Sequence, residues 1–307
     1  MRSVTLDDLR TRGEAGGKRL LADALARIEA SPDAPDAQAL LDAAWLSQTG
    51  VAIGFTGPPG VGKSTLVSAL LCELRARGLT VGVLAIDPSS RRSGGSLLGD
   101  RARISADPAD AGVYIRSLAA RDQLGGLAEL AMPMTVLFRA LFDVVLIETV
   151  GVGQSETEIA DLADVVVFCA QPGSGDSLQF MKAGVVEIPD IAVVCKADMG
   201  EMARRAVADL KGALSLSVRS GPAPPVLLVS APDRTGLEGL ADAVTTAPED
   251  QALRRDRQAA HWIETTLRMK FGREGLAALG TPPAIVPGVS PFAVERTAAA
   301  RLRARLG

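Results

Sequence analysis

Nine residues constrain this chain more than any other feature. Gly57-Pro58-Pro59-Gly60-Val61-Gly62-Lys63-Ser64-Thr65 matches G-x-x-x-x-G-K-[ST], and it stands between an apolar run, Val51 to Phe55, and a helical pattern, Leu66 to Leu74. A glycine-rich turn in that setting lets the backbone curl with its N–H groups inward, and the following helix N-terminus favours phosphate. Lys63 is then expected to reach the β- and γ-phosphates, Ser64 to offer Mg²⁺ a hydroxyl, and Thr65 to contact the α-phosphate. The bland alternative is a strand-to-helix turn that binds nothing. Motif and context together favour a P-loop nucleoside triphosphatase.

The rest of the pattern fits an α/β fold with a mainly parallel central sheet. Short β-branched runs at Val51 to Phe55, Val81 to Ile86, Val113 to Ile115, Val144 to Ile147, Val165 to Cys169, Ile191 to Val194 and Val226 to Val229 alternate with longer helical stretches. Several runs are apolar throughout, as expected of strands covered on both faces. Chemistry should then gather at their C-terminal ends. Before this region, residues 1–49 read as a helical extension with Leu20, Leu21, Leu25 and Ile28 on one face, interrupted at Pro32 and Pro35. The P-loop domain is expected over 50–248 and a helical C-terminal segment over 249–307. The Ala-rich stretch Ala298 to Leu306 reads as a basic surface helix.

The chain of 307 residues has a formal net charge of -3, which disfavours general binding to nucleic acid or an anionic membrane. No apolar run approaches the roughly 18 residues of a membrane span. The N-terminus MRSVTLDDLR lacks the order of a secretory signal, so the expected compartment is the cytoplasm. Cys72, Cys169 and Cys195 form neither a disulfide framework nor a zinc spacing. Cys72 and Cys169 read as small buried hydrophobes.

Three carboxylates stand where a metal or an attacking water belongs: Asp87 and Glu148 end apolar strands, and Asp100 lies in the Gly-rich loop between Ser93 and Arg103. A helix cap or turn is the structural alternative for each. Gly151 follows Glu148 by three residues, where a backbone N–H can sense a γ-phosphate. The stretch Glu148 to Gln154 therefore reads as a switch, with Lys63, Glu148 and Gly151 as the catalytic candidates.

Cys195-Lys196-Ala197-Asp198 and Ser230-Ala231 follow successive strands, at the spacing of guanine-recognition loops. With SQTG at Ser47, GPPGVGKST, IDPSSRRSGGSLLGDRARI, YIRS, RDQLGG, IETVGVGQSE, QPGSGDSLQFMKAG and KAD, the chain resembles the MeaB/ArgK family of G proteins, of the SIMIBI class of P-loop GTPases. The resemblance covers nearly the whole chain and thins after Pro248. It implies a Mg²⁺-dependent GTPase, taking GTP and yielding GDP, that acts as chaperone or gatekeeper for cobalamin loading and protection of an adenosylcobalamin-dependent acyl-CoA mutase carried on a separate chain. Cobalamin would be met through that partner alone. By the same resemblance, Asp87 and Asp100 help bind Mg²⁺, and Glu148 meets its water shell or the attacking water. Gln171, Gly173, Asp176, Gln179 and Lys182 lie in a loop that reports nucleotide state to the mutase, and the C-terminal helices make a homodimer contact. An ordinary connection capped by Asp176 is the alternative for that loop.

One departure matters. Cys195 stands where G proteins generally carry an Asn whose amide bonds the guanine ring and braces the phosphate loop, and a thiol is a weak donor and acceptor. Asp198 remains to accept from the guanine ring N–H and amino group, a donor pair that adenine lacks, so the expectation is weakened GTP binding and no change to ATP. Lys196 would lie over base and ribose. A nickel-insertion GTPase needs soft ligands or a His-rich tract, and this chain has one histidine, His261. A transport-associated kinase, suggested by the ArgK name, and a nucleotide-dependent interaction module with negligible turnover are the further rivals.

Overall fold

β1 (Val51–Thr56) lies at the middle of a seven-stranded parallel sheet, flanked by β4 (Val144–Thr149) and β5 (Val165–Ala170). The computed structural model describes residues 4–11, 17–88, 104, 106–120, 130–149, 158–173, 187–215, 222–281 and 283–306. Beyond β4 lie β2 (Val81–Pro88) and β3 (Val113–Ala120), and beyond β5 lie β6 (Ile191–Val194) and β7 (Val226–Leu228). The order is therefore β3-β2-β4-β1-β5-β6-β7. The chain leaves β1 toward one edge and returns to add strands on its other side, so β1 marks the point where the order reverses. Crevices open at the carboxyl ends of strands there.

Each central strand feeds two cores because alternate side chains face opposite ways. Ala52, Val145, Ile147 and Val166 face one cluster; Ile53, Phe55, Leu146 and Val167 face the other, and all are essentially solvent-free. This is why these runs are apolar throughout in sequence.

Helices α1 (Leu6–Arg10), α2 (Gly17–Ala30), α3 (Pro35–Trp45) and α5 (Ala131–Leu141) cover the first face through Leu9, Leu21, Leu25, Ile28, Leu41 and Phe138. Thr5 and Asp8 form a capping box that starts α1, and Pro35 opens α3 at a position where its missing N–H costs nothing. The second face is covered by α4 (Lys63–Ala76) and α7 (Leu237–Thr245). Leu66, Leu70 and Leu74 of α4 recur every four residues into that core, each stabilising by about 1.5–3 kcal/mol through burial. Leu70→Ala would cost about 2–5 kcal/mol because the site is closed on every side.

α6 (Glu201–Ser215) packs Leu210 and Leu214 beside Phe168 and Val194. Two further helices, α8 (Gln251–Leu279, with a break at Gly272) and α9 (Pro291–Leu306), share a small cluster of their own. The sequence suggested a surface helix at the end of the chain, but Ala298, Ala299 and Leu302 of α9 are buried against Ile263 and Leu267 of α8. The arginines between them hide this apolar stripe from a reading by composition. Cys72 also departs from expectation: it lies on the outer face of α4 and is exposed, whereas Cys169 and Cys195 are buried.

At the amino ends of the strands sits an ionic network. Asp164 and Arg139 are fully buried; the Asp164 carboxylate accepts from Ala52 N–H at 2.8 Å, from Arg139 at 3.1 Å, and from Arg255 of α8 at 2.8 and 2.9 Å. Arg254 holds Asp190, just before β6, through two bonds of 2.8 Å. Gln258 closes the network through the carbonyls of Ala160 and Ala163. In this way α8 grips the starts of β5 and β6. Burial works against the Asp164 charge, but Arg139, Arg255 and the Ala52 N–H hold its carboxyl below the usual carboxylate value. Burial lowers Arg139 to about 10, leaving it charged at neutral pH.

Candidate functional site

At the opposite end of the sheet, the loop from Gly57 to Gly62 joins β1 to α4. Gly57, Gly60 and Gly62 have φ of 133, 75 and 105°, which side chains with a Cβ rarely adopt. Gly57 is further constrained by space: a Cβ there would lie 2.3 Å from the carbonyl oxygen of Cys169 on β5. Val61 is buried in the core and pins the loop, while Pro59 and Gly60 are exposed at its rim. Pro58 is buried and Thr65 exposed. Lys63 is 6% exposed, and its ammonium donates to the carbonyls of Gly57 at 2.8 Å and Pro58 at 2.9 Å. The cation thus folds back over the loop that precedes it. These partners are neutral carbonyls, so an anionic group entering the loop would compete for the ammonium on favourable terms.

Ser64 follows on the first turn of α4, and its hydroxyl donates to Glu148 Oε1 at 2.5 Å. Glu148 stands near the end of β4 opposite Phe55 and is 8% exposed. A hydroxyl and a carboxylate, both hard oxygen donors, therefore meet directly beside the loop. Asp87 lies two residues past Ala85, the β2 partner of Glu148, so its backbone reaches the same edge of the sheet.

The second cluster sits at the ends of β5, β6 and β7. Lys196 takes a left-handed conformation, φ 60° and ψ 48°, which turns the chain away from β6 into a short 3₁₀ turn, Ala197–Met199. Its ammonium donates to Gln171 Oε1 at 2.6 Å, linking the β5 and β6 loops. Ala197 N–H is held by the Val229 carbonyl at 3.1 Å. Ser230 donates to Asp198 Oδ1 at 3.0 Å, and Ser230 N–H bonds the Thr235 carbonyl, so Ser230 is itself fixed. Ala231 begins the turn that follows. Lys196 and Asp198 are exposed while their loop is anchored from beneath.

Cys195 is that anchor. Its N–H donates to the Ala170 carbonyl at 2.8 Å, and its side chain is 5% exposed in the same cluster as Cys169. Interaction with the Cys195 thiol and burial push the Cys169 thiol well above the usual range, whereas the same interaction lowers Cys195 against the effect of burial.

The structure brings the GPPGVGKST loop, Glu148 and the backbone of Asp87 to one edge of the sheet, and it gathers Cys195, Lys196, Asp198, Ser230 and Ala231 nearby. Gln171, expected in a partner-facing loop, is engaged with Lys196, and Gly173 follows it with φ 75°. Asp100, Gly151, Asp176, Gln179 and Lys182 lie outside the described residues. Cys169, expected from the sequence to be a small buried hydrophobe, lies in the core cluster with no exposed surface.

Comparison with known proteins agrees with this geometry. The family model for methylmalonyl-CoA mutase-associated GTPase MeaB matches residues 21–271. The GTPase ArgK of Escherichia coli is 34% identical over 275 residues, 85% of this chain and 83% of the relative. A mouse protein, methylmalonic aciduria type A homolog, mitochondrial, is 38% identical over 223 residues, 69% of this chain and 54% of the relative. Among solved structures, an LAO/AO transport system kinase superposes with a TM-score of 0.66 at 25% identity, covering 100% of this chain and 99% of the other. The chain belongs to the MeaB family of GTPases.

Proposed function

We propose that this GTPase couples GTP and Mg²⁺ to the loading and protection of adenosylcobalamin in a separate acyl-CoA mutase. The observation that carries the nucleotide half is the pair Ser64 and Glu148, joined at 2.5 Å beside the buried ammonium of Lys63. Two hard oxygen donors next to a phosphate-binding loop suit Mg²⁺, which is held in such sites by few protein oxygens together with phosphates and water. Ser64 would hold the metal directly and Glu148 would hold its water shell or orient the attacking water; Asp87 and Asp100 are the further candidates. Bound Mg²⁺ would neutralise charge on the phosphate oxygens as the terminal phosphoryl group leaves. Lys63 exchanges carbonyl partners for phosphate and supplies positive charge where the negative charge builds. Gly57, Gly60 and Gly62 let backbone N–H groups approach the phosphates, and Gly151 would sense the last of them.

At the base end, Asp198 is held by Ser230 with its carboxylate at the loop surface, and it would accept from the guanine ring N–H and amino group. Lys196 would cover the base. The mutase half of the proposal is supported by the description of the matching family and by the name of the mouse relative. The loop from Gln171 to Lys182 would carry the nucleotide state to that partner, with the C-terminal helices joining two copies.

Phosphate release from GTP and from ATP, with and without a purified adenosylcobalamin-dependent acyl-CoA mutase, tests both halves. GTP should be hydrolysed in preference to ATP, the mutase should raise the rate, and Lys63→Ala should abolish it. Equal use of ATP would remove the guanine assignment. A rate indifferent to every such mutase would remove the partner assignment.

A further inference from the structure

The segments in which β5 and β6 end, neighbours in the sheet, are fastened together at three points. Cys195 N–H donates to the Ala170 carbonyl at 2.8 Å. One residue further along each segment, the Lys196 ammonium donates to Gln171 Oε1 at 2.6 Å, among the interactions of Gln171. Past these, Met202 of α6 reaches Gly173, where a Cβ would stand 3.4 Å from the Met202 methyl carbon. The first fastening is main chain between two buried residues; in the second, Gln171 is half-buried and Lys196 exposed, within reach of a ligand. The Lys196 backbone is fixed on both sides, by the Cys195 bond and by the bond from Ala197 N–H to the Val229 carbonyl at 3.1 Å, in a left-handed conformation that residues with a Cβ disfavour. An ammonium has donors alone, so it takes the amide by its oxygen, and the lysine stem is drawn from the end of β6 across to the end of β5.

We infer that Gln171 is a positioning residue of the base site: it holds the Lys196 ammonium so that the lysine stem is set across the two strand ends before a base arrives, and the same bond carries base occupancy to the root of the loop after β5. This rests on the guanine-nucleotide reading above and deepens it. A loose lysine stem has many rotamers, and ordering it on binding costs affinity; a partner that orders it beforehand removes that cost. Because Gln171 acts through Lys196, its contribution should vanish when the ammonium is removed. The coupling is reciprocal: if the Gln171 bond favours the base, the base favours the Gln171 bond. Gln171 and Gly173 stand at the start of the loop to which the partner assignment points, so the base reaches that loop without help from the terminal phosphate. GDP, which has the base and lacks that phosphate, is therefore expected to act on it.

The test is a cycle of Gln171→Met, Lys196→Met and the double variant, reading GDP affinity in the presence of Mg²⁺, the melting temperature of the nucleotide-free protein, and hydrogen exchange at the amides of Gln171 and Gly173 with and without GDP. Gln171→Met keeps the length of the side chain without its acceptor and should weaken GDP by about 3–10-fold, the scale of one hydrogen bond, at an unchanged melting temperature. The double variant should bind no more weakly than Lys196→Met. Gln171→Glu, which keeps an acceptor, should hold GDP within about 2-fold of wild type. GDP should slow exchange at the two amides in the wild-type protein and fail to do so in Gln171→Met. If the methionine variant does not fold, Gln171→Ala carries the same comparison. A Gln171→Met protein that binds GDP as wild type does would overturn the inference and leave the GTPase reading intact, as would losses that multiply in the double variant or exchange slowed equally in both proteins. A wild-type protein that binds no GDP would take both down.

Discussion

The two ends of the sheet handle charge in opposite ways. At the amino ends, Asp164 is matched by Arg139 and, with two bonds, Arg255, and Asp190 by two bonds from Arg254; Asp164 and Arg139 are fully buried and the Arg254–Asp190 pair partly so. At the carboxyl ends, Lys63 donates to two carbonyls, Ser64 to Glu148, Lys196 to the Gln171 amide and Ser230 to Asp198, among the interactions of Lys63 and Glu148. An ion pair in a dry site resists separation, because removing one partner strands the other charge. Hydrogen bonds to neutral groups are worth about 1 kcal/mol net and yield to a charged ligand. The amino end thus holds α8 onto the strands, and the carboxyl end keeps its charges exchangeable.

That contrast is sharpest when one member of each end is removed. Asp164→Ala strands Arg139 in the core and should cost about 3–5 kcal/mol, a fall in melting temperature of about 10 °C, while GDP affinity of the folded protein stays near wild type. The same carboxylate predicts an acid limit. Its folded-state pKa is below the ordinary 3.8, so its contribution is fully present above that value and is lost as pH falls through the lower, folded one; the variant should show a flatter acid-unfolding curve. Lys63→Ala reverses the pattern: GTP turnover should fall by about 100-fold or more, with melting temperature little changed. Comparable losses of stability and turnover in both variants would break the contrast.

The base loop should respond more mildly. Asp198→Ala removes a charged acceptor and should weaken GDP by about 10–100-fold while leaving ADP binding unaltered, so that the preference for guanine disappears. Smallest is the effect of Cys195→Asn, which should tighten GDP by about 2–10-fold, measured by titration against wild type; no change or a loosening would count against the reading of this loop as the base site.

Much of this was legible in the sequence for a physical reason. Parallel strands covered on both faces must be apolar in every position, and glycines with positive φ must recur where a backbone wraps phosphate, so Val144 to Ile147 and Gly57 to Thr65 announce themselves. Asp198 and Ser230 each follow an apolar strand in the sequence, and the structure joins them by a hydrogen bond. What stayed hidden depends on strand order and on pairing across distance. Arg139 sits in a helical pattern and Asp164 before a strand, with nothing local to show that they meet Arg255 about ninety residues on. The bond from Lys196 to the Gln171 amide likewise joins two loops whose strands the sequence does not show to be neighbours. The packing of α9 escaped because Ala298, Ala299 and Leu302 are too few and too small to show against the arginines around them.

The central claim is that the carboxyl end of the sheet is built for a guanine nucleotide. Calorimetric titration of the purified protein with GDP and, separately, ADP, in Mg²⁺-containing buffer, tests it most directly. Saturable one-to-one binding of GDP with ADP at least about 100-fold weaker is the predicted result. Equal binding of the two, or heat from neither, would contradict it.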